Sequence, residues 1–210
     1  MPVETLFRRI CLALLGLYAL VFVGCAYGVI ALDLTHLFAE DGTLEMLEAA
    51  VLAVACVVFL VGAARRPQPQ RLILLFLALL MLAFSLRELD VERFDVPELV
   101  KQLGAGKGRN VLLGSGLALI VGYASLRFGL YWRAGFGFLH TTAGKLLLWG
   151  GAFVVLGELF EKYFLVPHHV LFEESFELLG YCLIVLCGVA AQLVPTSTVL
   201  WPRPALPRRN

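Results

Sequence analysis

Charge is what this sequence lacks most. Only 16% of its 210 residues are Asp, Glu, Lys or Arg, whereas 60% are hydrophobic. Soluble domains contain about 25% charged residues, so this chain has too few to cover a surface that faces water. The composition excludes an ordinary soluble globule and predicts a protein solvated by lipid. The net charge of +1 gives no indication of a nucleic-acid partner.

The motifs of several familiar sites are missing as well. His168 and His169 are followed by Glu173 and Glu174, but the His-Glu-x-x-His order of zinc peptidases does not result. The glycine-rich stretch 104–108 lacks the spacing of a phosphate-binding loop. All five cysteines lie inside apolar runs and form no spaced redox or metal-binding pair. A peptidase of this type, a nucleotide site and a disulfide framework are therefore not indicated.

Long apolar runs are what the chain does contain. Six runs are each close to the length of about 20 residues that a helix needs to cross a bilayer. Strand-like alternation is missing, and an open sheet edge could not be satisfied in hydrocarbon. We therefore predict an all-α integral membrane protein, a single bundle of about six helices over residues 1–210. The predicted spans are 10–32, 45–64, 71–87, 110–131, 145–163 and 174–194.

Basic residues predict the orientation of this bundle. Placing both termini in the cytoplasm puts eleven of the seventeen Lys and Arg residues on the cytoplasmic side, as the positive-inside rule favours. Fifteen of the sixteen acids then lie on or near the outer face, where only six basic residues accompany them. This imbalance is the main indication of function in the sequence.

Four of the predicted spans carry carboxylates at the level of the outer face. Where two glutamates are three residues apart, both lie on one face of their helix and can converge on one point. Ionisable groups near hydrocarbon are costly, and those present usually face the bundle interior and have a role. The eight acids concerned are Glu45, Glu48, Glu88, Asp90, Glu158, Glu161, Glu174 and Glu177.

A divalent metal cation, of unknown identity, is the predicted ligand of this outer cluster. Carboxylates with nearby imidazoles suit such a cation, and bound charge would offset the repulsion between the acids. The predicted metal ligands are Glu48, Glu88, Glu158, Glu177, His168 and His169. For a metal-dependent enzyme, Glu161 or Glu174 is the predicted base and Arg87 the clamp for an anionic group.

Three classes of function are compatible with such a site. The first is a metal-dependent enzyme acting on a lipid-linked or membrane-borne substrate from the extracytoplasmic side. The second is a cation- or proton-coupled transporter, although the inner halves of the spans contain few polar residues. The third is an accessory subunit that docks on another membrane protein through its acidic surface. Thirteen arginines against four lysines are compatible with a bacterium of high genomic GC, and we predict the bacterial inner membrane as the location.

Overall fold

The computed structural model describes residues 3–32, 43–89, 97, 101–102, 104, 106–163 and 169–193. In this part of the chain it contains seven helices and no strands. They are α1 (Val3–Leu32), α2 (Thr43–Arg65), α3 (Gln70–Glu88), α4 (Gly106–Ser125), α5 (Phe128–Leu139), α6 (Thr142–Tyr163) and α7 (His169–Leu193). Five are long and apolar enough to cross a membrane, and α4 with α5 forms a sixth candidate that is bent.

The predicted all-α, multi-pass architecture is therefore confirmed, and its orientation stays a prediction. Most predicted spans match a helix to within a few residues, but α1 and α7 begin earlier than predicted. In α7 the extra residues are 169–173, which the sequence had assigned to the preceding joint.

The largest departure from the predicted spans is at the fourth. Its helix ends at Ser125, and a second helix, α5, follows after two residues with a bend of 108° between the two axes. Sequence reasoning had assigned residues 131–144 to a joint, whereas most of them are helical. The backbone turns at Arg127, whose φ of −135° and ψ of 47° lie outside the helical region.

α7 is the central helix of the bundle. It packs closely against α6 and also contacts α2 and α1, while α2 pairs with α3. The buried core between these helices is apolar and is built from Leu52, Phe59, Leu77, Met81 and Ile184 among others. A helix buried on several sides has few places for charge, so the polar residues of α7 need partners within the bundle.

Two glycines allow α6 and α7 to approach one another closely. A Cβ added at Gly150 would lie 2.9 Å from the carbonyl oxygen of Gly180, and one added at Gly180 would lie 2.7 Å from that of Gly150. Small residues at crossing points let helix backbones pack tightly in membranes. This close packing brings the carboxylates at the start of α7 against α6.

The bundle has two chemically different ends. At the acidic end, glutamates lie in the first two turns of α2, in the second turn of α7 and near the ends of α3 and α6. At the basic end, α2 ends at Arg65, and the guanidinium of Arg66 donates hydrogen bonds to the carbonyl oxygens of Ala191 and Gln192 in the last turn of α7. These bonds satisfy helix-end carbonyls that have no partner within the helix.

One buried hydrogen bond ties α3 to α2 beneath the acidic end. The hydroxyl of Ser85, which is 4% exposed, donates to the carbonyl oxygen of Ala49 at 3.1 Å. We expect Ser85→Ala to lower the free energy of unfolding in detergent by about 1 kcal/mol, the usual net contribution of such a bond. Ser115→Ala is the control, because Ser115 is exposed and bonds only within its own helix. An equal loss in both variants would contradict this assignment.

Candidate cation-binding site

Glu48 is the most deeply buried acid in the described part of the chain. It lies in the second turn of α2, and only 1% of its surface is exposed. Its placement follows from helical spacing, since Leu52, Ala55 and Phe59 continue the same face of α2 into the core. A carboxyl group in this position needs a proton, a hydrogen-bond donor or a cation close by.

The neighbours of Glu48 are three further carboxyl groups. Glu174 and Glu177 come from α7 and Glu88 from the end of α3, and all three lie close enough to interact electrostatically with Glu48. The side chain of Glu174 is within hydrogen-bonding range of Glu48. Two carboxyl groups can share a hydrogen bond only when one of them carries a proton. We call Glu48, Glu88, Glu174 and Glu177 the carboxyl cluster.

Tyr181 lies at the inner boundary of this cluster. Its hydroxyl donates a hydrogen bond to Oε2 of Glu177 at 3.2 Å, and it also interacts with the carboxyl group of Glu88. A phenol has one proton to donate, so it can satisfy only one of the two acids at a time. The ring itself is 2% exposed and joins the apolar core below.

Three oxygens of the carboxyl cluster have no hydrogen-bond partner within the described residues. They are Oε1 of Glu48, Oε1 of Glu88 and Oε2 of Glu174, one from each of three side chains on α2, α3 and α7. Leaving a buried acceptor unsatisfied costs about 1–3 kcal/mol for a neutral group and more for a charged one. These three atoms therefore need a proton or another partner that the described side chains do not donate.

Glu158 stands apart from the cluster at its rim. Its Oε1 accepts a hydrogen bond from Arg87 at 3.0 Å, and its Oε2 accepts one from Lys162 at 2.7 Å. Arg87 is also 3.8 Å from Oε1 of Glu88, a distance at which charges attract without a hydrogen bond. The side chain of Arg87 is 57% exposed, so the rim carries accessible positive charge around a negative interior.

Of the remaining predicted metal ligands and bases, His169 alone has a described side chain. His169 begins α7 five residues before Glu174, which corresponds to about 7.5 Å along a helix axis. His168 and the side chain of Glu161 lie outside the described residues. Of the predicted metal ligands, the structure thus brings together Glu48, Glu88 and Glu177, and it adds Glu174, which had been predicted as a base.

The described side chains, in their present rotamers, do not form a metal-coordinating group. Among the described residues, no three His, Cys, Asp or Glu side chains are arranged so that they could hold a metal ion. The predicted metal ligands therefore stay a prediction. A cation would need the carboxyl groups to change rotamer and draw together.

Sequence reasoning missed two residues that shape the site. Tyr181 follows Glu177 by four positions, the spacing at which side chains meet on a helix, so this contact could have been found. Gly157 on α6 faces Glu177 across the interface, where an added Cβ would lie 2.6 Å from Cγ of Glu177. No local pattern identifies that glycine, because its role depends on how α6 and α7 pack.

No protein-family model matches the chain, and comparisons with curated proteins and with solved structures find no match either. The site must therefore be interpreted from its own geometry.

Proposed function

We propose that this membrane protein binds a divalent cation in the carboxyl cluster, and that the cation enters from the acidic end of the bundle. The observation that carries the proposal is the set of three buried carboxyl oxygens, on three helices, that accept no hydrogen bond from a described donor group. In this proposal the cation displaces the proton shared by Glu48 and Glu174. The cation then binds the carboxyl oxygens to which the surrounding side chains donate no hydrogen bond.

The chemistry of the cluster favours a hard cation. Its members are all carboxyl groups, which suit Mg²⁺, Ca²⁺ and Mn²⁺ better than softer metals. Unit charges about 4 Å apart interact by about 4 kcal/mol at an effective dielectric constant near 20, so ionised cluster members would repel one another strongly. A cation between them converts this repulsion into cohesion between α2, α3 and α7.

A site open at one end fits the surroundings better than a path through the protein. Below Tyr181 the described interior is filled by apolar side chains, among them Leu52, Phe59, Leu77 and Met81. Ions do not cross such a layer without a polar route. This packing supports cation binding from one side over the transporter hypothesis.

The rim provides the means for a reaction at a bound cation. Arg87 could contact a phosphate or carboxylate of a membrane-borne substrate if it released Glu158. Glu174 is better suited to the role of ligand than to that of base, because it already meets Glu48. We propose that the bound cation serves a reaction, and that the protein is a metal-dependent enzyme of the bacterial inner membrane.

Elemental analysis combined with thermal unfolding tests the proposal. The protein, purified in detergent without chelator, should contain about one divalent metal per chain. Removing the metal with EDTA should lower the unfolding midpoint, and Mg²⁺, Ca²⁺ or Mn²⁺ added singly should restore it. A cation at 100 times its Kd should contribute about 2.7 kcal/mol. A metal-free protein whose midpoint responds to none of these ions would refute the proposal and favour an accessory subunit.

A further inference from the structure

The helix α5 carries a row of exposed aromatic rings at the basic end of the bundle. Phe128, Trp132 and Phe136 are four residues apart and therefore lie on one face of the helix. Their rings contact one another in sequence, with centroid distances of 5.5 Å and 4.6 Å. Each residue is about half exposed or more, so the row faces away from the protein.

The opposite face of α5 is fixed on the bundle. Ala134 is 2% exposed, and Phe138 packs against the apolar core. The hydroxyl of Tyr131 donates a hydrogen bond of 3.1 Å to Oε1 of Gln68, which lies in the joint between α2 and α3. These contacts set the rotation of α5 and place it at the basic end, next to the joint between α2 and α3.

The bend before α5 determines how it meets the bilayer. If α4 crosses the membrane, a bend of 108° makes α5 run close to parallel with the membrane plane. Aromatic side chains are enriched at the level of the lipid headgroups, and a helix in this plane buries its apolar face among them. The row of rings is then directed into lipid.

Positive charge accompanies the rings. Arg127 precedes the first turn of α5 and Arg133 borders the aromatic face, and both are exposed. The sequence contains no Asp or Glu from residue 99 to residue 157, so no acid of this segment neutralises them. Each basic residue near an anionic bilayer surface contributes about fivefold to binding.

We propose that α5 is an interfacial helix that binds anionic phospholipid. The row Phe128, Trp132 and Phe136 lies in the upper acyl region, and Arg127 and Arg133 bind the phosphate groups. The inference is independent of the carboxyl cluster, which lies at the other end of the bundle.

Quenching of tryptophan fluorescence by brominated lipid tests both parts of this assignment. Trp132 becomes the sole tryptophan in the double variant Trp149→Phe, Trp201→Phe, which is reconstituted in phosphatidylcholine vesicles. A low, equal mole fraction of brominated phosphatidylglycerol or brominated phosphatidylcholine is then added. We expect both lipids to quench Trp132, and the anionic lipid to be enriched around it by up to about 25-fold, because the fivefold contributions of two arginines multiply.

Matched variants identify the residues responsible. Replacing both Arg127 and Arg133 by Gln should remove the difference between the two brominated lipids, whereas Lys107→Gln at the other end of α4 should leave it unchanged. Equal quenching by both lipids in the parent would overturn the anionic preference. Quenching by aqueous acrylamide but by neither lipid would show that the aromatic row does not face the bilayer, and would overturn the whole proposal.

Discussion

Replacing Gly157 by alanine is expected to destabilise the protein by about 1–3 kcal/mol, the range for an overpacked interior. The added Cβ would lie 2.6 Å from Cγ of Glu177 and 3.0 Å from the backbone oxygen of Glu173. A flexible side chain could move aside, but the backbone oxygen cannot, so α6 and α7 must separate. Unfolding in detergent mixtures at equilibrium measures the loss. Glu177 should be displaced with α7, so cation-dependent stabilisation should weaken as well.

Gly151→Ala is the matched control for this variant. Gly151 lies on the same helix, and an added Cβ there would meet nothing within 4 Å. Alanine has a higher helix propensity than glycine by about 1 kcal/mol, so this variant should be neutral or slightly more stable. Comparable destabilisation by the two substitutions would mean that α6 and α7 do not pack as described.

Glu48→Gln is expected to abolish stabilisation by the cation while the fold is retained. Glutamine has nearly the shape of glutamate, and its amide can donate a hydrogen bond to Glu174. The variant therefore supplies a hydrogen-bond donor that the cluster otherwise lacks. The cation loses a central ligand and its counter-charge. The difference of about 2.7 kcal/mol expected between loaded and EDTA-treated parent protein should therefore vanish in the variant.

Two comparisons make this result specific. Glu4→Gln changes an exposed acid of α1 and should leave the cation response intact. Glu158→Gln removes the partner of Arg87 and Lys162 at the rim, and we expect it to weaken the response without abolishing it. If Glu48→Gln keeps the full response, the cation is bound elsewhere and the carboxyl cluster is not the site.

The sequence predicted an all-helical membrane protein with about six spans because hydrophobic length is decisive in a bilayer. It failed at α5, where the run 110–131 contains no proline or acid to mark a break. The chain turns at Arg127 because Ala134 and Phe138 pack on the bundle, which is a tertiary contact. Such a contact cannot be predicted from local composition.

The candidate site could be predicted in part for a similar reason. Helical spacing indicated that Glu48 and Glu177 point inward, and both prove to be buried. The same reasoning gave Glu158 an equal role, but Arg87 and Lys162 hold that side chain at the rim. Which acids meet depends on the offset between neighbouring helices, and Gly150, Gly157 and Gly180 set this offset between α6 and α7.

Infrared difference spectroscopy of the protein with and without Mn²⁺ or Ca²⁺ tests the central claim most directly. The protein, first treated with EDTA and freed of chelator, should show the carbonyl stretch of protonated carboxyl groups. This band should decrease when the cation is added, as bands of ionised carboxylate appear. The change should be lost in Glu48→Gln. A spectrum that no divalent cation alters, or the same difference spectrum in the parent and Glu48→Gln, would contradict cation binding at the carboxyl cluster.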